Sequence, residues 1–195
     1  MRTRLVLDTA RLRLTALTAG ALDAWLRGDA AALLAETGVQ FDLPVEAPPL
    51  FEEDLPAFHR RMLEDPASLG WWVWLASTRD TGRAVGVCGL GGRPWDGRAV
   101  LGYAVYPEVE GRGYATEAAG ALVAWALGQP GVVAVRAHVP CWNAASLAVA
   151  RKLGMIEVGR EIDPDVGEVA VYQVPVGGVP APPRTSSVRS LLDGS

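Results

Sequence analysis

The stretch YPEVEGRGYATEAAGALVAWALG, residues 106–128, enters a helix through two glycines that flank a single arginine. Glycine has the loosest backbone of any residue, so its use at a helix entrance needs a reason. A glycine-rich turn that feeds a helix lets several backbone N–H groups point outward together, and the unpaired donors of the first turn add the positive end of the helix dipole. Such a turn is suited to an anion. Gly111 and Gly113 remove the side chains that would keep a phosphate at a distance, and Arg112 supplies a charge. The competing reading is a plain strand-to-helix turn. Two familiar phosphate loops are excluded. Thr116 stands where a dinucleotide fingerprint wants its third glycine, and no Lys-Ser or Lys-Thr follows for a nucleoside triphosphate loop.

Upstream of this stretch, ARLRLTAL (residues 10–17) alternates Leu12 and Leu14 with Arg11 and Arg13, the period of a half-buried strand. Leu22, Trp25 and Leu26 then fall at helical spacing, Gly28 interrupts, and DAAALLAETG (29–38) predicts a second short helix closing at Gly38. The segment FDLPVEAPPL (41–50) is too rich in proline for either element and reads as a loop over a cleft. Leu55, Phe58 and Met62 give a third helix, with Asp54 as its cap and Pro66 beyond its end.

The period then changes. WWVWLAS (71–77) and AVGVCGLGG (84–92), parted by the turn TRDTGR (78–83), read as strands, and GRPWDGR (92–98) turns into a third, AVLGYAVYP (99–107). Trp71, Trp72 and Trp74 read as alternating core and surface of a strand, one of them available to an acceptor groove. After the glycine loop and its helix come a strand, GVVAVRAHVP (131–140), and a helix, NAASLAVARKLG (143–154). MIEVGREI (155–162) and EVAVYQVPV (168–176) pair around DPDVG (163–167). Residues 1–176 thus form one domain, and 177–195, GGVPAPPRTSSVRSLLDGS, hold too little apolar content to pack and read as a mobile tail.

A second constellation lies in CWNAASLAVARKLGM (141–155). Asn143 precedes a helical run, Ser146 lies three residues on, and Gly154 closes it. By itself this is a well-punctuated helix, with Asn as N-cap and Gly past the end.

Together and in this order, GRGYATEA and N-x-x-S…KLG resemble the GNAT acetyltransferase superfamily, and within it the RimJ/RimL type of protein N-terminal acetyltransferase. The resemblance runs from TARLRL to the closing strands. It implies an α+β, layered α/β/α fold, with a mixed, mostly antiparallel sheet, helices on both faces, and a V-shaped opening between the fourth and fifth core strands. Here those are Val100 to Tyr106 and Val132 to Val139. It further implies acetyl-CoA as cosubstrate, with its pyrophosphate on the amides of Gly111, Arg112, Gly113, Tyr114 and Ala115 and with Thr116 next in the helix. Val105 and Tyr106 would offer backbone groups to the pantetheine arm, Asn143 would touch the same arm, and Ser146 would face the sulfur. The reaction so implied is direct attack of a primary amine on the thioester, the acceptor being a peptide N-terminal α-amine or a small amine. That chemistry needs a neutral amine, a polarised carbonyl and a proton for the departing thiolate.

The sequence departs from the family pattern at several places. Glu108 stands where Gln or Arg is usual and Glu110 where Arg is usual, Ala150 replaces the Tyr that many members use as acid, and Val100 replaces a frequent Glu. Ser146 is then the candidate acid or thiolate-stabilising group. His138 is the candidate base, with a structural histidine as the competing reading. Cys141 reads as incidental and His59 as a solvated side chain. The rival functions are an acyl-CoA-binding module with little or no turnover, which the departures favour, and an anion-binding domain without CoA preference.

Bulk properties fit this reading. A net charge of −4 gives no reason to expect nucleic acid or an anionic membrane as partner. Cys88 and Cys141 form neither a metal spacing nor a disulfide framework, so no metal is expected and a reducing compartment is the default. The apolar run Leu5 to Leu7 is too short for a signal-peptide core, and no run reaches membrane-spanning length, so the expected location is the cytoplasm. A homodimer would be common for the resemblance.

Overall fold

Leu12 and Leu14 are wholly buried while Arg13 between them faces water, which is the alternation that builds a strand on one face. The computed structural model describes residues 4–41, 45–49 and 51–175. The expected tail, 177–195, and residues 42–44 and 50 of the proline-rich loop lie outside the described residues. Strands β1 (Val6–Asp8) and β2 (Leu12–Ala16) come first, then helices α1 (Ala19–Leu26), α2 (Ala30–Thr37) and α3 (Leu55–Glu64). Strands β3 (Val73–Thr78), β4 (Ala84–Leu90) and β5 (Arg98–Val105) lead to α4 (Tyr114–Leu127), and β6 (Ala134–Pro140), α5 (Ala144–Lys152), β7 (Ile156–Asp163) and β8 (Gly167–Pro175) complete the chain. β1 is a short strand that the sequence pattern does not announce.

The strands form one mixed sheet in the order β1-β2-β3-β4-β5-β6-β8-β7. Helices cover both faces. Trp74 and Ala76 of β3 join one core with Leu12, Leu14 and the α4 residues Leu122 and Val123. Val73 and Leu75 join the other, with Leu22, Trp25 and Leu33 of α1 and α2 and Met62 of α3. The pleat therefore sends alternate side chains to opposite cores, and Val73–Ser77 is buried throughout. This corrects the expected alternation of core and surface. Trp71 and Trp72 precede the strand rather than belong to it. Trp71 and Trp74 both meet the Trp125 ring edge-on, at 5.1 and 5.4 Å between centroids, and Trp72 lies against Phe58.

One pairing positions the site. All neighbours among the named strands run antiparallel except β5 and β6, which run parallel and meet only where Arg98, Ala99 and Val100 face Ala134, Val135 and Arg136. Beyond that register β5 stays with β4 as far as Val105, and β6 stays with β8 as far as Pro140, so the two strands part. Gly86 of β4 lies opposite Val105 at the end of β5. A Cβ there would stand 2.3 Å from the Ala104 carbonyl oxygen, so only glycine lets the end of β5 press this closely against β4.

Candidate active site

A cavity of about 500 Å³ fills the gap between β5 and β6. Leu101–Val105 form one wall and Ala137–Pro140 another, while the entrance of α4 and the first turns of α5 close its ends. Among the expected cofactor contacts, Val105, Gly111, Gly113, Tyr114, Ala115 and Thr116 line it. So do Asn143, Ser146 and His138. Tyr106 and Arg112 border the cavity without lining it. The Tyr106 hydroxyl donates to the Glu46 carbonyl at 2.7 Å, and Arg112 turns back to the Glu108 carbonyl at 3.4 Å.

The α4 entrance has the properties that an anion requires. Gly111 and Gly113 sit at φ 72° and 80°, the left-handed region where glycine is at ease. Side chains of Thr18, Asp29 and Asn143 cap α1, α2 and α5, but Gly113, the N-cap of α4, has no side chain with which to do so. The first turn of α4 therefore has no side-chain cap for its N–H groups, and the residues that carry them line the cavity. A Cβ on Gly111 would meet nothing within 4 Å, so the space above the loop is open. Glu110 lines the cavity as well, a carboxylate beside these donors.

At α5 the Asn143 side-chain oxygen accepts from the Ser146 N–H at 3.0 Å, which caps the helix and fixes Ser146 at the cavity wall. The Ser146 hydroxyl donates to the Tyr103 hydroxyl at 3.0 Å, and that hydroxyl in turn donates to the Ser146 carbonyl at 3.0 Å. Burial pushes the Tyr103 phenol up, only partly offset by its bond with Ser146, so it keeps its proton at neutral pH. Sequence reading missed Tyr103. The available signal was the pleat: Tyr103 lies two residues before Val105 and shares its face of β5. Ala150, in place of the familiar tyrosine, is fully buried in the core beneath.

His138 Nδ1 lies 3.6 Å from Glu161 Oε2, across from β6 to β7. Lys152, the chain's one lysine, lines the cavity from the last turn of α5. The Cys141 thiol is pushed up by desolvation and by neighbouring Glu168, which disfavours a reactive thiolate. Among the described residues no group of His, Cys, Asp and Glu is placed to hold a metal ion, and no helix is long and apolar enough to cross a membrane.

A mixed sheet splayed between two parallel strands, with an uncapped glycine-entered helix at the split, defines the GNAT fold. The chain matches the Acetyltransferase (GNAT) domain family over residues 11–156 and belongs to it. It is an acetyltransferase, with acetyl-CoA as the cosubstrate of its family. A Bacillus subtilis (strain 168) protein named "Uncharacterized N-acetyltransferase YjdG" is 30% identical over 152 residues, 77% of this chain and 89% of its own. The acetyltransferase of Agrobacterium tumefaciens str. C58 is 26% identical, with a TM-score of 0.60 over 89% of this chain and 96% of that one. RimL, the ribosomal L7/L12 alpha-N-protein acetyltransferase, in complex with coenzyme A, shares the fold at 18% identity, with a TM-score of 0.62 over 89% of this chain and 99% of its own.

Proposed function

We propose that this enzyme transfers the acetyl group of acetyl-CoA to a primary amine, an N-terminal α-amine of a peptide or protein or a small amine of similar basicity. One observation carries the reading: the uncapped entrance of α4 and the paired hydroxyls of Ser146 and Tyr103 line a single cavity. A module that only bound the cosubstrate would have no need of the second feature. When bound, acetyl-CoA supplies an acetyl group activated as a thioester. The amides from Gly111 to Ala115 hold the pyrophosphate, and the end of β5 at Val105 and Tyr106 orients the pantetheine arm. Asn143 holds Ser146 in place, and the Ser146 hydroxyl, turned from the Tyr103 oxygen, hydrogen-bonds the departing thiolate, which gains the proton that the attacking amine loses as the amide forms.

His138 is the base that the cavity wall presents, and it is half open to solvent. An acceptor that loses its proton readily suits such a site. At pH 7 an α-amine, with a pKa of about 7.7–8.0, is neutral in roughly a tenth of molecules, whereas a lysine amine is neutral in fewer than about one in a thousand.

An acceptor panel that follows release of free CoA tests this. Peptides with free N-termini should release it, and the same peptides with blocked N-termini should not. Release with lysine side chains or polyamines alone would move the assignment to another amine class. Tight acetyl-CoA binding without release for any amine would reduce the protein to a binding module.

A further inference from the structure

We infer that Arg11, just ahead of β2, is the positioning residue that holds the glycine loop of α4 in its anion-binding shape, an inference that rests on the acetyl-CoA reading of the cavity. Arg11 lies far from the loop in sequence, yet its side chain reaches several successive parts of it. Its Nε donates to Glu117 Oε2 at 2.6 Å, and its own backbone N–H donates to Glu117 Oε1 at 2.8 Å. Its Nη1 donates to the Arg112 carbonyl at 2.9 Å. Its guanidinium lies over the Tyr114 ring, 4.8 Å from the centroid, and a Cβ on Gly113 would stand 3.5 Å from its Nη2. Thr9 adds a further donor to Glu117 Oε1 at 2.6 Å.

These contacts fix backbone direction. Carbonyl and N–H point opposite ways across a planar trans peptide, so tying down the Arg112 carbonyl also fixes where the Gly113 N–H points. That N–H belongs to the cradle. Glycine at two positions of the loop makes it loose, and a loose loop must be ordered when ligand arrives, at a cost in affinity. Arg11 orders it beforehand. The loop's own side chains do not do so, because Arg112 is engaged with the Glu108 carbonyl and Glu108 and Glu110 bring only negative charge. Since Glu117 pairs with Arg11 and offsets much of its charge, its contribution is geometric more than electrostatic.

The test is calorimetric titration of the full chain with acetyl-CoA in wild type, Arg11→Ala and Arg11→Lys, with melting curves of the unliganded proteins beside it. Arg11→Ala should weaken binding about tenfold to hundredfold, the scale of a lost charge-assisted hydrogen bond. Arg11→Lys should recover little, because an ammonium cannot reach Glu117 and the Arg112 carbonyl together in the planar fork. S-acetylpantetheine, which carries no pyrophosphate, should bind wild type and variants alike by ligand-detected NMR. An unchanged acetyl-CoA affinity in folded Arg11→Lys, or equal weakening of both ligands, would overturn the inference. Failure of wild type to bind acetyl-CoA would instead remove the reading of the cavity beneath it.

Discussion

Tyr103 and Ser146 exchange hydrogen bonds across 43 residues of sequence, and their roles can be separated by which kinetic constant moves. If the Ser146 hydroxyl assists the departing sulfur, that interaction strengthens only in the transition state. Ser146→Ala should lower kcat by about 10²-fold and leave acetyl-CoA affinity nearly untouched. Tyr103→Phe removes the partner that holds this hydroxyl and should lower kcat about tenfold, equivalent to about 1.4 kcal/mol. The double variant should be no slower than Ser146→Ala, since residues that act as a unit do not add. Steady-state kinetics on the three proteins decides the matter, and independent losses that multiply would break the pair. The two residues also show what a sequence can disclose. Ser146 stands out locally, three residues after an N-cap, whereas nothing near Tyr103 reveals that its hydroxyl meets a helix arriving much later in the chain.

At the scale of the element, α4 carries the proposed anion cradle and is the most legible, because its glycine entrance and apolar run are contiguous. Gly113 stands at φ 80°, so a branched residue there is strained by about 1–3 kcal/mol whatever the surrounding space. Gly113→Val should therefore disturb the cradle more than Arg112→Ala, whose guanidinium is already turned to the Glu108 carbonyl. Titration with acetyl-CoA is the check. Wild-type affinity in a folded Gly113→Val protein would defeat the cradle assignment. Other elements were less legible. β1 is an edge strand of three residues, too short for its period to register. β7 and β8 read correctly as a hairpin, but only the tertiary structure shows that β8, the later one, lies next to β6. β3 misled because both its faces are covered, and alternation then no longer marks inside from outside.

Across the whole molecule, the start of the chain and the site are joined through Glu117, whose carboxyl has a distinctive environment. Burial alone would raise its pKa, but hydrogen bonds from Thr9 and Arg11, with the charge of Arg11, outweigh burial and hold it below the ordinary carboxylate range. A depressed carboxylate contributes stability above its unfolded pKa, about 4.3, and loses it as pH falls through the folded value. Glu117→Gln should thus be less stable than wild type near pH 6, and their urea midpoints should converge as the solution is acidified from about pH 5 to pH 3. Parallel midpoint curves would show that Glu117 carries none of the acid sensitivity. This link was invisible in the sequence, since its partners are 106 residues apart.

The brief contact between β5 and β6 has a further consequence. With only Arg98–Val100 joined to Ala134–Arg136, the sheet is an unfinished zipper: past the last rung the facing edges of β5 and β6 pair with no strand among the described residues, while their other edges stay on β4 and β8. A pantetheine arm laid in the gap would stand in for the missing strand, so acetyl-CoA should slow hydrogen–deuterium exchange along residues 101–105 and 137–140 as well as at the entrance of α4. Slowing confined to the helix entrance would mean that the ligand is held by its phosphates alone, with the zipper still open beneath it.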